Sequence, residues 1–344
     1  MEWRPTIDVV VPAFNEEAHI GDCIDQIRAQ DYPAEAVRIW IVDAGSTDAT
    51  AAVVEERATR DARLTLVTPG ARLNAGQAVN AGVAAGSGEL IARVDAHTYL
   101  HPDYLSRAVA ALAEAEPDVG CVGGQPEQVG ETPFGRAVAL ARASKVGVGA
   151  SIYADQREQA FVYTVQSGVY RRAVFEQLGG FDGDIPYGED EELNWRLRDA
   201  GGRILLDTRV RFTYTTRSTW RALFRQHRNY GESRVRVVSA HPEFLRSYHL
   251  APAVLVASFG ALAATTPASR QARRGLLALT GLYGAIVVGG GVAAARDEPD
   301  LAPRVAAAIV AMHAGYGIGM IEGAATRLLA RAGLRKPSSN VRLR

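Results

Sequence analysis

A chain of 344 residues exceeds what one hydrophobic core comfortably supports, so a domain of roughly 200 to 250 residues with an appendage is expected. Lys+Arg 38 and Asp+Glu 38 cancel, which argues against a general nucleic-acid binder, because neutralising phosphates requires a basic face. The two cysteines, Cys23 and Cys121, are far apart in sequence, which argues against a disulfide framework or a cysteine metal site and fits a reducing compartment.

The first residues, Met1 to Asp8, lack the basic start and apolar run of a secretory signal, so the N-terminal part is expected to stay cytoplasmic. Ile7 to Val11 is a β-branched run closed by Pro12, and Ala18 to Gln30 carries apolar residues at helical spacing. The unit repeats. Val37 to Val42 reads as a strand, Ala44 to Asp48 as a turn and Ala49 to Thr59 as a helix; Leu64 to Val67, Gln77 to Ala85 and Leu90 to Val94 continue as strand, helix and strand. This alternation predicts an α/β fold with a mostly parallel sheet flanked by helices, whose ligands bind beyond the carboxyl ends of the strands.

The polar clusters fall at those ends. Asp95 and His97 follow the fourth strand, point the same way in extended geometry, and would suit Mn²⁺, with Mg²⁺ favouring all-oxygen shells. A turn-capping Asp beside a surface His is the competing reading. Asp43 ends the second strand and can accept a hydrogen bond from a base or ribose, whereas Asp48 also reads as an Asx-turn residue. Pro12 to Glu17 offers an aromatic face and carboxylates after the first strand. Tyr163 to Tyr170 reads as a core strand with a glycine bulge, ahead of a helix from Ala173 to Leu178. In the run Gly188 to Leu193, Glu189 and Asp190 stand at a helix start, where acids ordinarily complement the macrodipole; at the mouth of a site one of them can take a proton from an attacking hydroxyl. Of the remaining histidines, His101, His241, His249 and His313 read as surface or packing residues, and His227 as a candidate further metal ligand.

After about Pro242 charges thin out, and the division expected is a catalytic domain over 1–240 and a hydrophobic helical membrane region over 241–344 with a basic tail. Leu250 to Ser269, Gly275 to Ala295 and Val305 to Ile321 approach bilayer-spanning length. Arg270, Arg273 and Arg274 make one link basic, Asp297, Glu298 and Asp300 make the next acidic, and the tail from Arg327 is strongly basic. By the positive-inside rule the last two stretches form a hairpin, and the first enters and returns or lies at the interface.

Taken together, Val9 to Glu17, Val42 to Asp48, Asn74-Ala75-Gly76 with Asn80-Ala81-Gly82, Asp95-Ala96-His97, Gly179 to Asp182 and Gly188-Glu189-Asp190 resemble glycosyltransferase family 2 over about the first 230 residues, most closely its succinoglycan-biosynthesis ExoA group. The resemblance implies a GT-A fold and inverting transfer from a nucleotide sugar, commonly UDP-linked and here UDP-glucose, to a saccharide or polyprenyl-linked acceptor at the cell membrane, with a cytoplasmic catalytic domain. It also implies a role for Pro12, Phe14 and Glu16 in the nucleotide pocket, Asp43 at the base, Asp95 and His97 at the metal position, and Asp190 as general base with Glu189 beside it. For Tyr163 to Tyr170 it implies a part in the acceptor-side wall, the alternative to a core strand. Gln226 and Arg228 fall in a run similar to the family segment that closes over the donor phosphates. Two departures stand out: Ala44 where many relatives have a second aspartate, and His97 where the metal motif has its second aspartate. The competing classes are a sugar nucleotidyltransferase, which calls for an N-terminal Gly- and Lys-rich phosphate loop although no Lys precedes Lys145, and a non-catalytic membrane scaffold, which predicts loss of the acids that are present.

Overall fold

The structure is a computed structural model and describes residues 3–148 and 158–332; the basic tail beyond residue 332 lies outside the described residues. The chain forms two compact units, Met1–Glu127 with Gln156–Tyr214, and Gln128–Asp155 with Thr215–Arg344.

The first unit is built on a sheet of β1 (Ile7–Ala13), β2 (Val37–Asp43), β3 (Leu64–Val67), β4 (Leu90–Arg93), β5 (Thr98–Leu100), β6 (Val119–Val129), β7 (Gln159–Phe161), β8 (Gln166–Arg171) and β9 (Arg203–Thr215). The strand order is β3-β2-β1-β4-β8-β6-β9-β5, with β7 paired to β9. β3, β2, β1 and β4 run parallel, as the alternation predicts, and β8 then joins β4 antiparallel and extends the sheet. The parallel strands read as continuous apolar runs because helices cover both faces: Ile7, Val9, Val10 and Val11 are all fully buried. The helices are α1 (Ile20–Arg28), α2 (Thr50–Ala58), α3 (Ala75–Ala85) and α4 (Tyr104–Glu114), then α7 (Arg172–Leu178) and α8 (Glu189–Asp199), with α5 (Pro133–Ala143) and α6 (Lys145–Val148) in the second unit.

One polar group inside this core is fully used. Asp8, 1% exposed, accepts hydrogen bonds from Trp40 Nε1 at 2.8 Å and the Gly88 N–H at 2.7 Å, and pairs with the Arg172 guanidinium. Gly86 and Gly88 are needed here, since a Cβ on either would run into the Asp8 carboxylate or backbone. The strand expected over Tyr163 to Tyr170 begins only at Gln166, and it carries the bulge: between Gln166 and Val169 its register against β6 slips by one residue across Ser167, with φ +49°, and Gly168. Gly168 is also required for packing: a Cβ would lie 2.8 Å from Cys121 Sγ.

In the second unit α9 (Trp220–Ala240) is followed by α10 (Ser247–Thr265), α11 (Arg270–Ala294) and α12 (Ala302–Arg331). All three of the last are long and apolar enough to cross a membrane. α10 is continuous over 19 residues, about 28 Å at 1.5 Å per residue, so the first apolar stretch does not turn back on itself as the sequence allowed. It exposes Tyr248, Leu250 and Val254, and α11 exposes Leu277, Leu282, Ile286, Val288 and Val292.

α12 differs, because half of its most apolar window is buried. It lies parallel to α9 with glycines at the crossing. A Cβ on Gly319 would collide with the Arg228 carbonyl, one on Gly315 would sit 2.5 Å from the Phe224 carbonyl oxygen, and one on Gly231 would strike the Tyr316 carbonyl. Small residues at four-residue spacing let two helix backbones approach this closely. Arg228 Nε to Glu322 at 2.5 Å and Arg234 Nε to the Tyr316 hydroxyl at 3.0 Å add polar rungs.

Asp8→Ala should lower unfolding stability by about 3 kcal/mol, the cost of leaving a largely buried guanidinium without its carboxylate, read as a shifted denaturation midpoint of the detergent-solubilised chain; an unchanged midpoint would show that Arg172 finds another partner.

Candidate active site

The loops after β1 and β2 are stapled side by side. The Asn15 N–H donates to Ser46 Oγ at 3.0 Å, the Thr47 N–H to Asn15 Oδ1 at 2.8 Å, the Glu16 N–H to Thr50 Oγ1 at 2.8 Å and the Ala49 N–H to Glu17 Oε2 at 2.9 Å. Asn15 takes a left-handed φ of +54° to make this possible, a conformation Asn tolerates because its side chain bonds locally. Asp48 accepts from Thr50 and the Glu17 N–H and so is a turn residue, while Asp43 accepts the Ser46 N–H at 2.9 Å through one carboxylate oxygen. Beside them the Arg72 guanidinium stacks on the Phe14 ring, 2.9 Å from its centroid, with Asp43 and Tyr187 close enough to favour its charge against burial. Pro12, Phe14, Glu16 and Asp43 therefore border one surface, and Arg72 belongs with them.

The centre of the site is Arg93, the last residue of β4. Its Nη2 lies 2.7 Å from Glu189 Oε1 at the start of α8 and 3.3 Å from Asp95 Oδ1. Burial opposes the charge, but Asp95, Glu189 and Asp190 together hold the guanidinium firmly protonated. The two flanking aspartates are driven in opposite directions. For Asp95 burial raises the proton affinity, yet Arg93 and then His97 outweigh it and keep the carboxyl below its usual range. For Asp190 burial comes first, repulsion from Glu189 adds to it, and the group is pushed up to about 7 despite Arg93. Glu189 is 4% exposed and committed to Arg93, whereas Asp190 is half-buried and receives the Glu191 N–H at 2.8 Å.

His97 Nδ1 lies 3.2 Å from Glu16 Oε1, so the loop after β1 reaches the Asp95 and His97 position. Among the described residues no group of three or more His, Cys, Asp or Glu side chains forms a ready-made cage for an ion. Asp95 and His97 supply a carboxylate oxygen and an imidazole nitrogen, a donor pair that fits a borderline cation when ligand oxygens and water complete the shell.

The two Asn-Ala-Gly repeats act through the Gly179 to Asp184 loop. Asn80 exchanges two hydrogen bonds with the Phe181 backbone, at 2.8 and 2.9 Å, and Asn74 Nδ2 donates to the Gly183 carbonyl at 2.7 Å while its Oδ1 caps α3. Gly76 leaves room for the same loop, since its Cβ would stand 3.0 Å from Phe181 Cβ and 3.4 Å from Glu189 Cγ. Phe181 in turn lies under the Arg93 guanidinium, at 5.6 Å. This chain of contacts fixes where α8 begins.

Gln226 and Arg228 lie on α9 in the second unit, where Gln226 Nε2 donates to the Tyr230 hydroxyl at 3.1 Å and Arg228 pairs with Glu322. His227 is buried there, its Nδ1 donating to the Leu223 carbonyl at 3.1 Å. Sequence reasoning passed over Arg93 and Arg72. A lone Arg ending an apolar strand was the available signal for Arg93; Arg72 had none, since its partners come from three separate loops.

The Glycosyl transferase family 2 model matches residues 8–179. The chain is 32% identical over 319 residues to the succinoglycan biosynthesis protein ExoA of Rhizobium meliloti (strain 1021), covering 90% of this chain and 92% of that one. A dolichyl N-acetyl-α-D-glucosaminyl phosphate 3-β-D-2,3-diacetamido-2,3-dideoxy-β-D-glucuronosyltransferase of Methanococcus voltae is 27% identical, with 66% and 72% covered. Among solved structures, the mannosyltransferase PcManGT of Pyrobaculum calidifontis, in complex with GDP-Man and Mn²⁺, superposes with a TM-score of 0.64 at 24% identity, over 90% of this chain and 88% of that one. The chain belongs to glycosyltransferase family 2 and is a glycosyltransferase of GT-A fold.

Proposed function

We propose that the enzyme transfers a hexose from a UDP-hexose, with inversion, to a hydroxyl of a saccharide carried on a polyprenyl lipid, using Mn²⁺ or Mg²⁺ held by Asp95 and His97. The observation that carries this reading is the split between the two aspartates around Arg93: one held ionised, one raised to a proton affinity near neutrality. Environments that push two carboxyls apart in this way assign their roles, an anionic ligand and a proton acceptor. The acceptor hydroxyl oxygen bonds to the anomeric carbon as the bond from that carbon to the diphosphate breaks, and the hydroxyl proton passes to Asp190. Asp95 and His97 would hold the cation, which would supply the positive charge that offsets the charge developing on the departing diphosphate. Glu189 and Arg93 are positioning residues that hold α8 and Asp95 in register. Phe14 offers a face for a base, with Pro12, Glu16 and Asp43 around it, and Gln226 and Arg228 are assigned to the donor phosphates.

The acceptor class is supported by the name of the ExoA relative and by the apolar helices. The ion is supported by Mn²⁺ in the PcManGT complex. Solved GT-A neighbours hold GDP-Man in one case and UDP-GlcNAc in another, TarS of S. aureus, at 15% identity and a TM-score of 0.51 with 98% of this chain and 95% of that one covered. A lone Asp43 beside Ala44 leaves the base to be chosen by experiment. A cytoplasmic catalytic unit is supported by the basic link with Arg270, Arg273 and Arg274, by the basic tail from Arg327 and by the positive-inside rule.

With a panel of UDP- and GDP-sugars, metal-dependent transfer from one donor is expected, reduced about 10²- to 10⁴-fold in Asp190→Asn with donor binding kept, and lost together with metal dependence in Asp95→Asn. Full activity of Asp190→Asn would remove the proposed base. The acid limb of kcat/KM reports the free enzyme, so the rate should rise as pH increases through about 7, where Asp190 loses its proton. Glu189→Gln removes a repulsion that raises Asp190, so its acid limb should move to lower pH; a shift the other way would contradict the electrostatic account.

A further inference from the structure

Near the end of α12 the second unit holds a cavity of about 230 Å³ whose lining includes Arg236 of α9 and Arg327 and Arg331 of α12. One carboxylate, Glu232, lines it against these three guanidinium groups, and Glu232 is paired within its own helix to Arg236 at 3.0 Å. Arg236 and Arg331 stand close enough to Arg327 for their charges to interact. Gly323 lets α9 and α12 approach closely beside it, since a Cβ there would lie 3.2 Å from the Glu232 carbonyl oxygen. Holding like charges together around a cavity costs free energy unless an anion enters, and guanidinium groups match phosphate oxygens two at a time.

The neighbours say which kind of anion. Leu328 is 65% exposed and Leu329 41% exposed, and both lie between Arg327 and Arg331 in sequence, an apolar and cationic pairing typical of a helix end at the level of lipid headgroups. We propose that Arg236, Arg327 and Arg331 form a binding site for a phosphate group, presented by an anionic membrane lipid. The site is separate from the strand-end cluster around Arg93, and the inference does not rest on the catalytic reading: a protein inactive on every donor still tests it.

The full-length chain, solubilised in a non-ionic detergent, is titrated with phosphatidate, with phosphatidylcholine and with inorganic phosphate, and bound lipid is counted by native mass spectrometry. Phosphatidate should bind at least about tenfold more tightly than phosphatidylcholine, the difference expected of about one or two charge-assisted contacts. Arg327→Gln with Arg331→Gln should abolish that preference, and Arg331→Gln alone, at an exposed position, should weaken it if the double variant fails to fold. Arg270→Gln with Arg273→Gln removes the same charge from the start of α11 and should change the preference less than about twofold. Displacement of phosphatidate by inorganic phosphate would keep the site and assign it a soluble phosphoryl source. Equal binding of the two lipids, or an equal loss in the α11 pair, would overturn the proposal.

Discussion

The site depends on one buried cation. Arg93 ends β4 with its guanidinium between Asp95 and Glu189, and its charge lowers the proton affinity of both Asp95 and Asp190. Without that positive charge, Asp95, Glu189 and Asp190 would repel one another in a poorly solvated place, and at least one of them would be neutral. With it, the charge is shared unequally. Asp95 and Glu189 lie within reach of the guanidinium, and Asp190, one residue further along α8, remains subject to burial and to its acidic neighbours. A single arginine thus makes an anionic position and a proton-accepting position out of chemically identical groups.

Such a division requires that α8 start in one place, and the packing around it is directed to that end. Asn80 clamps the Phe181 backbone, Asn74 holds Gly183, and Gly76 leaves space for Phe181 and Glu189. The parallel strands β1, β2 and β4 bring their carboxyl ends to one edge, and the stapled loops after β1 and β2 place Phe14, Glu16 and Asp43 there. Side-chain hydrogen bonds to backbone groups, more than apolar contacts, fix these loops, because each loop has to stay solvent-facing while presenting a defined surface.

The parallel half of the sheet was legible in the sequence because its strands are buried on both faces and its helices are amphipathic, so periodicity changes at each boundary. The acids at the strand ends were legible for the same reason: charge at the end of an apolar run is conspicuous. Arg93 was less so, because its meaning lies in Glu189, nearly a hundred residues away, and spacing carries no information about such a pair. Arg72 on Phe14 is a still clearer case, since the two residues sit in the loops after β3 and β1, and each loop is held to the segment after β2, by Leu73 N–H to the Ala44 carbonyl and by Asn15 to Ser46 and Thr47. At β8 the sequence pointed to a glycine bulge, and the register slips there across Ser167 and Gly168, with Ser167 taking the left-handed backbone. The bulk of Cys121 and Tyr170 demands the glycine as well, a packing constraint that composition cannot distinguish from a backbone one.

The same limit applies to the apolar helices. By composition α10, α11 and α12 are alike, and each satisfies a length criterion for crossing a bilayer. Packing separates them. α10 and α11 present leucines and valines outward, whereas α12 sets Gly315, Gly319 and Gly323 against α9, a helix that carries Arg228, Glu232, Arg234 and Arg236. Ionised side chains are expensive in hydrocarbon, so the part of α12 from Gly315 onward, with Glu322 paired to Arg228, is poorly suited to the bilayer core and well suited to its polar boundary. Small residues in an apolar helix therefore have two readings, close packing in lipid or close packing against protein, and the partner helix decides between them. Here the partner is charged, which favours close packing against protein as the reading of the glycine seam.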